Sequence, residues 1–227
     1  MNARVLLLLA SLTLGGCALS PFASDASTAR VCPTPSQEQQ LALNLAQEMA
    51  EQGRRHAALA HLQQLPAQLP AVQLGQARLL RDLDPAKAKT IYTGLLGSCL
   101  DGQAEHGLGQ LAVAAGQLPV AYTHLQRARQ RVPTDAQVRS DLGLVLMGMN
   151  QPEAARFEFT TALELEPRNV QPAVNLLALL FFQGRDQQAA HMATQWQLNA
   201  TQVRDAQTMA RRLRALSSAE SVPLAGR

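Results

Sequence analysis

The chain has 227 residues, enough for one cored domain or one short solenoid, and carries 20 basic against 17 acidic residues. Aromatics make up only 4% and the two charge signs are interspersed, so the basic face with stacking aromatics of a nucleic-acid binder is absent. Ala, Leu and Gln dominate and β-branched residues are sparse, which favours helix over sheet.

The first segment reads as an address. Arg4 supplies a short positive region, and Val5 to Leu14 form an apolar run too short to span a bilayer but suited to a signal peptide. Residues 1–16 are therefore expected to be removed. The run ends in Leu14-Gly15-Gly16-Cys17, which resembles the bacterial lipobox and implies a diacylglycerol on the Cys17 thiol. Ala18, standing where an Asp would signal inner-membrane retention, points to lipid anchoring at the periplasmic face of the outer membrane. Residues 17–37 comprise this cysteine and a Ser/Ala/Pro/Thr-rich stretch without periodicity, which reads as a flexible tether. With Cys17 acylated, Cys32 and Cys99 remain. They are either a bridge stapling the tether to the second repeat or two independent thiols, one of them packed as a small apolar residue.

A 34-residue period governs 38–217. Leu74, Leu108, Leu142 and Leu176 recur at that interval, as do Gly75, Gly109 and Gly143. Gly116, Asn150 and Gly184 form another column, Ala121, Ala155 and Ala189 another, and Pro133 and Pro167 the last. In helical terms Leu enters the core midway along a first helix, and the adjacent Gly lets a second helix approach. The Gly/Asn column suits a left-handed helix end, and Pro stops the second helix. This resembles the tetratricopeptide repeat. Residues 136–169 match best through Leu142-Gly143, Leu146, Ala155, Phe159, Ala162 and Pro167, with Arg139 replacing the usual aromatic. Residues 102–135 follow. Residues 170–203 put Trp196 where Ala is expected, 68–101 needs one inserted residue, and 39–67 is cut short at Pro66. The resemblance implies an all-α, right-handed solenoid of about five hairpins. Residues 204–217 are expected to be a capping helix and 218–227 a disordered tail.

No catalytic constellation accompanies the repeats. The five histidines form no HExxH, and no Gly-x-Ser-x-Gly, P-loop or dinucleotide fingerprint occurs. No enzyme activity, cofactor, metal or small-molecule substrate is expected. In this architecture ligands lie on the concave face made by the first helices. The repeat register places Asn44, Gln76, Leu80, Gln110, Leu144, Met147, Asn175, Phe181 and Phe182 there. Leu79 and Val113 read as packing residues between repeats. A groove so composed, apolar with amides and without a Lys/Arg set, suits an amphipathic or extended apolar protein segment.

A lipobox, a tether and tetratricopeptide repeats together resemble the TadD lipoproteins of the Flp/Tad pilus, and in role the repeat-containing pilotins of type IV pili. The resemblance implies an outer-membrane scaffold that binds a secretin segment and promotes its targeting and oligomerisation. A general envelope adaptor, recruiting peptidoglycan enzymes or outer-membrane assembly factors, would have the same anatomy.

Overall fold

The computed structural model describes residues 31–220; the signal segment, Cys17 and most of the tether lie outside them, as do 221–227. Among the described residues there are eleven helices and no strand. Five hairpins follow one another: α1 (Gln37–Glu51) with α2 (Arg55–Leu62), α3 (Pro70–Leu83) with α4 (Pro85–Leu95), and α5 (Asp101–Ala114) with α6 (Leu118–Arg131). Then come α7 (Ala136–Gly148) with α8 (Pro152–Leu165), α9 (Gln171–Phe182) with α10 (Asp186–Gln195), and a final helix α11 (Ala200–Glu220). The last helix starts earlier and ends later than 204–217, so 218–220, expected to begin a disordered tail, are helical instead. The run from Ala200 holds no Pro or Gly to interrupt it.

The caps are written locally. Ser36 and Gln39 close a reciprocal capping box on α1, and Asp84, Asp135 and Asn199 accept from the first-turn amides of the helices they precede. Pro occupies the first turn of α3, α4, α6, α8 and α9, where its missing N–H costs nothing. Gly116, Asn150 and Gly184, the column read as helix ends, all take positive φ, at 72°, 57° and 71°.

Within a hairpin the helices meet where a side chain is missing. A Cβ on Gly109 would overlap Leu125, and one on Gly143 would overlap the ring of Phe159, which is fully buried. The main core runs from α5 to α11 and includes Leu125, Leu142, Phe159 and Leu177. A second cluster around Tyr92, Leu95 and Leu108 joins α3, α4 and α5, and a small third one around Ala46, Ala58 and Leu62 serves α1 and α2. The N-terminal repeats are thus the least buried. They carry instead the Cys32–Cys99 disulfide, with the two Cα atoms 5.2 Å apart, which ties the residues before α1 to the turn before α5.

Arg139, unusual for its position, is explained by a buried charge. Its guanidinium meets Glu158 of α8 at 2.9 Å, while Arg129 of α6 reaches the other carboxylate oxygen at 2.7 Å. Glu158 is 2% exposed, so the trio is a hydrogen-bonded lock across α6, α7 and α8.

The cap does not continue the alternation. Helix α11 packs chiefly on α9 and reaches α7, while α10 lies more loosely on α9 than the second helix of any earlier hairpin does on its partner. Ala206 and Leu213 of α11 join the main core, and Arg214 donates to the carbonyls of Phe181 and, at 3.0 Å, Phe182. The orphan carbonyls at the end of α9 are met in this way.

Candidate protein-binding groove

The first helices line up along one side, but only half of that side is open. Met147 is fully buried in the core and so does not face a ligand; Leu118 and Leu213 pack at the neighbouring Gly148. Asn175, 2% exposed, is also enclosed and accepts from Gln171 at 3.1 Å. Phe181, Phe182 and Leu144 are half-buried against the main core that α11 completes. Four of these expected groove residues pack inside the chain, with α11 lying on α9 and α7, while Phe181 also lines an opening of about 660 Å³ between α9, α10 and α11.

In α3 the expected face is rotated. Leu80 is 9% exposed and packs in the second core cluster. Gln76 turns to the preceding hairpin and donates to the Leu62 carbonyl at 3.3 Å. Leu79 is likewise buried, and Val113 packs against the main core.

Two openings remain among the described residues: one of about 660 Å³ between α9, α10 and α11, and one of about 460 Å³ walled by α1, α3 and α5, with Tyr92 from α4 and Gln137 from α7. The second is the one that lies along the first helices. Its apolar floor includes Leu43, Leu74, Leu79 and Leu100. Asn44 and Gln110, both read from the sequence, do line it, together with Gln40, Gln47, Gln103 and Gln137. Arg78, Arg81 and His106 complete the polar wall. The two arginines correct the expectation of a groove without cations.

A polar chain crosses three first helices. Arg81 donates to the Gln110 side-chain oxygen Oε1, Gln110 Nε2 donates to Asp141 Oδ2 at 2.7 Å, and His106 Nε2 meets the same oxygen at 2.7 Å. Such a chain fixes the spacing of α3, α5 and α7 and keeps the amides oriented. Tyr92 stands beside it, its ring lying where a Cβ on Gly107 would have to go. It is 1% exposed and its hydroxyl has no hydrogen-bond partner. Burial pushes the Tyr92 hydroxyl above the ordinary phenol range of 10.0, and the nearby charges of Arg81 and Arg78 oppose that rise. Among the described residues no group of three His, Cys, Asp or Glu side chains is placed to hold a metal ion. None of the described helices is long and apolar enough to cross a membrane.

A side lined by amides, aliphatic side chains and guanidiniums is chemically suited to the main chain and side chains of a peptide. Comparison with known proteins agrees with the architecture. The chain is 37% identical over 224 residues to the TPR repeat-containing protein PA4299 of Pseudomonas aeruginosa, covering 98% of this chain and 90% of that protein. This chain belongs to the TPR repeat family. Protein-family models, when scanned, give no match. Among solved structures, this TPR chain resembles Pseudomonas aeruginosa pilF, with a TM-score of 0.59 at 19% identity, over 78% of this chain and 90% of that one. A thermophilic TPR protein of Thermus thermophilus superposes equally well, with a TM-score of 0.59 at 21% identity, over 78% and 98% of the two chains. MamA of Desulfovibrio magneticus gives a TM-score of 0.53 at 21% identity, over 74% and 96%. At these identities the structural neighbours establish the fold. As a TPR protein the chain is a protein-interaction scaffold.

Proposed function

We propose that this TPR scaffold is a lipid-anchored outer-membrane protein of Flp/Tad pilus assembly, holding a segment of the secretin while the ring forms. The observation that carries the reading is the open groove of α1, α3 and α5 lying next to Cys32, which follows the proposed tether. The disulfide pins Cys32 to Cys99, and the following residue, Leu100, already lines the cavity. Cys32 lies fifteen positions after Cys17, a reach of at most about 50 Å, so a lipid on Cys17 would hang the groove close to the membrane. The lipobox and its Ala18 support outer-membrane anchoring, and two or three acyl chains would make it lasting.

The role is tested in a strain lacking the gene. Heat-stable secretin multimers fall, the wild-type chain restores them, and Cys17→Ser, which cannot be acylated, does not. Palmitate labelling of the wild type but not of Cys17→Ser accompanies this. Unchanged multimers would remove the pilotin role.

A second reading, a general envelope adaptor, gains from one observation: the open half of the groove is polar and cationic rather than uniformly apolar. If copurification with the full-length chain returns peptidoglycan enzymes or outer-membrane assembly factors and no secretin, that reading replaces the first.

A further inference from the structure

We infer that this chain associates head to tail, the outer face of α1 in one copy seating in the opening between α10 and α11 of a second copy. Such self-association goes beyond the secretin-holding role and does not depend on it. The opening marks a side chain that the fifth hairpin lacks. In the second helices Ala58, Ala88, Ala121, Ala155 and Ala189 are all fully buried, and the residue four positions later fills the space beside them. That residue is Leu62, Tyr92, Leu125 and Phe159 in the first four hairpins, each no more than 2% exposed, and Ala193 in the fifth. Ala193 accordingly lines the opening of about 660 Å³, with Ala189 and Ala190 beside it and Val203 and Ala210 opposite.

No first helix covers this gap. Each of α2, α4, α6 and α8 packs on the first helix that follows it, whereas α10 meets only α9 to a comparable extent, α11 having crossed onto α9 and α7. Trp196, one turn after Ala193 at the end of α10, is left 38% exposed. The place beside α10 that a further first helix would take is open, and a repeat stack left open at one end can be extended by another stack.

Helix α1 has the converse deficit, a first helix with no second helix before it among the described residues. Leu43 faces the cavity floor, and Leu41 and Leu45, two residues to either side, point about 200° round the helix from it. They are 69% and 39% exposed. Their counterparts 34 residues on are Gly75 and Leu79, which pack back on α2: a Cβ on Gly75 would lie 2.9 Å from Leu62, and Leu79 joins the cluster of Ala46, Ala58 and Leu62. Leu41 and Leu45 thus present to solvent the contact that α3 makes with a preceding second helix, and leucine is what the Ala193 gap can take. Charge agrees with this pairing. Glu38 and Glu48 flank the leucines on one face of α1, which carries no Lys or Arg. Arg211 and Arg214 line the opening, with Asp186 as its one carboxylate. The Glu48 carboxylate accepts only from the Gln52 amide, and Arg211 donates only to the Thr208 hydroxyl, so each is free of an opposite charge. Acid on the inserting helix and guanidinium on the receiving one fix the direction of stacking, and a contact between unlike faces leaves both ends able to grow.

The test is sedimentation equilibrium of the mature chain, residues 17–227 without acyl groups and with the disulfide closed, across micromolar concentrations. The mean mass of the wild type should rise with concentration past that of a dimer. Leu41→Gln with Leu45→Gln changes only exposed groups, so its thermal midpoint should hold while association weakens about tenfold or more. Ala193→Leu restores the bulk that the other four hairpins carry there, so it should fold as well as the wild type and block the receiving end. Where the wild type is assembled, each variant alone should be largely monomeric. Mixed, they should form a one-to-one dimer and nothing larger, since one keeps its opening and the other its α1 face. A wild type that stays monomeric overturns the inference, whether the opening is covered by residues 221–227 of the same chain or by another protein. Association that survives either variant, or a mixture that stays monomeric, overturns it as well.

Discussion

Arg139 meets Glu158 at 2.9 Å in the same two repeat positions that Glu105 and His124 hold, at 2.6 Å, 34 residues earlier. The groups are exchanged between helices, the first helix giving the guanidinium in one hairpin and the carboxylate in the previous one. Where an aromatic would fill the space between helices, this chain uses polar pairs. A buried pair holds its geometry only while both members are present. Arg139→Ala leaves Glu158 with Arg129 alone and should cost about 3 kcal/mol in urea unfolding. A loss below about 0.5 kcal/mol would show that Arg129 suffices.

The Cys32–Cys99 bridge closes a loop with a sequence separation of 67 around the four helices that have the smallest cores. Loop entropy assigns such a closure about 4 kcal/mol. Reduction, or Cys32→Ser with Cys99→Ser, should therefore lower stability by roughly 2–4 kcal/mol. The loss of protection in hydrogen exchange should concentrate in α1 to α4, with α7 to α9 unchanged. Uniform loss along the chain would mean that the repeats unfold as one unit.

Tyr92 gives a pH signature. Its folded value lies above the unfolded 10.0, so the protonated form is favoured by folding. The stability this represents is fully present below pH 10 and disappears as pH rises through the folded value. Tyr92→Phe should abolish the alkaline loss. At neutral pH it should be neutral or stabilising by up to about 1 kcal/mol, because the hydroxyl removed has no partner. Thermal midpoints of both proteins between pH 8 and pH 11, read by circular dichroism, decide this; parallel curves would exclude Tyr92 as the source.

Two glycines separate backbone from packing. Gly116 has φ of 72° and nothing within 4 Å of an added Cβ, so Gly116→Ala carries only the left-handed penalty, about 1 kcal/mol. Gly143 has an ordinary helical backbone, but its Cβ would enter the Phe159 ring, and Gly143→Ala should cost about 1–3 kcal/mol. Joining Gly143→Ala with Phe159→Leu should recover part of that loss. Additive effects would contradict the close approach of α7 and α8.

The repeats were legible because their signals are local and periodic: Leu142-Gly143, the positive-φ column at Gly116, Asn150 and Gly184, and the prolines that open helices. The groove was less so. Asn44 to Arg78 and Gln47 to Arg81 keep the 34-residue interval between α1 and α3, yet Arg81 faces Gln110 at a separation of 29. Carrying the period of the later repeats back into α3 therefore names Gln76, which turns to Leu62, instead of the arginines. Each residue of slippage turns a helix by about 100°, enough to exchange a ligand face for a core face. Met147 and Asn175 lie in the core for a different reason. An amphipathic helix announces that it will dock, and not onto which side of its neighbours.

The docking of α11 also sets how long a guest this protein can read. With α9 covered by α11, the cavity along the first helices runs from α1 to α5, and two steps at 8–10 Å make that roughly 18 Å. At about 3.3 Å per residue, an extended strand fills it with about five residues. Guests lengthened beyond that size should gain no further affinity, whereas shortening below it should weaken them residue by residue.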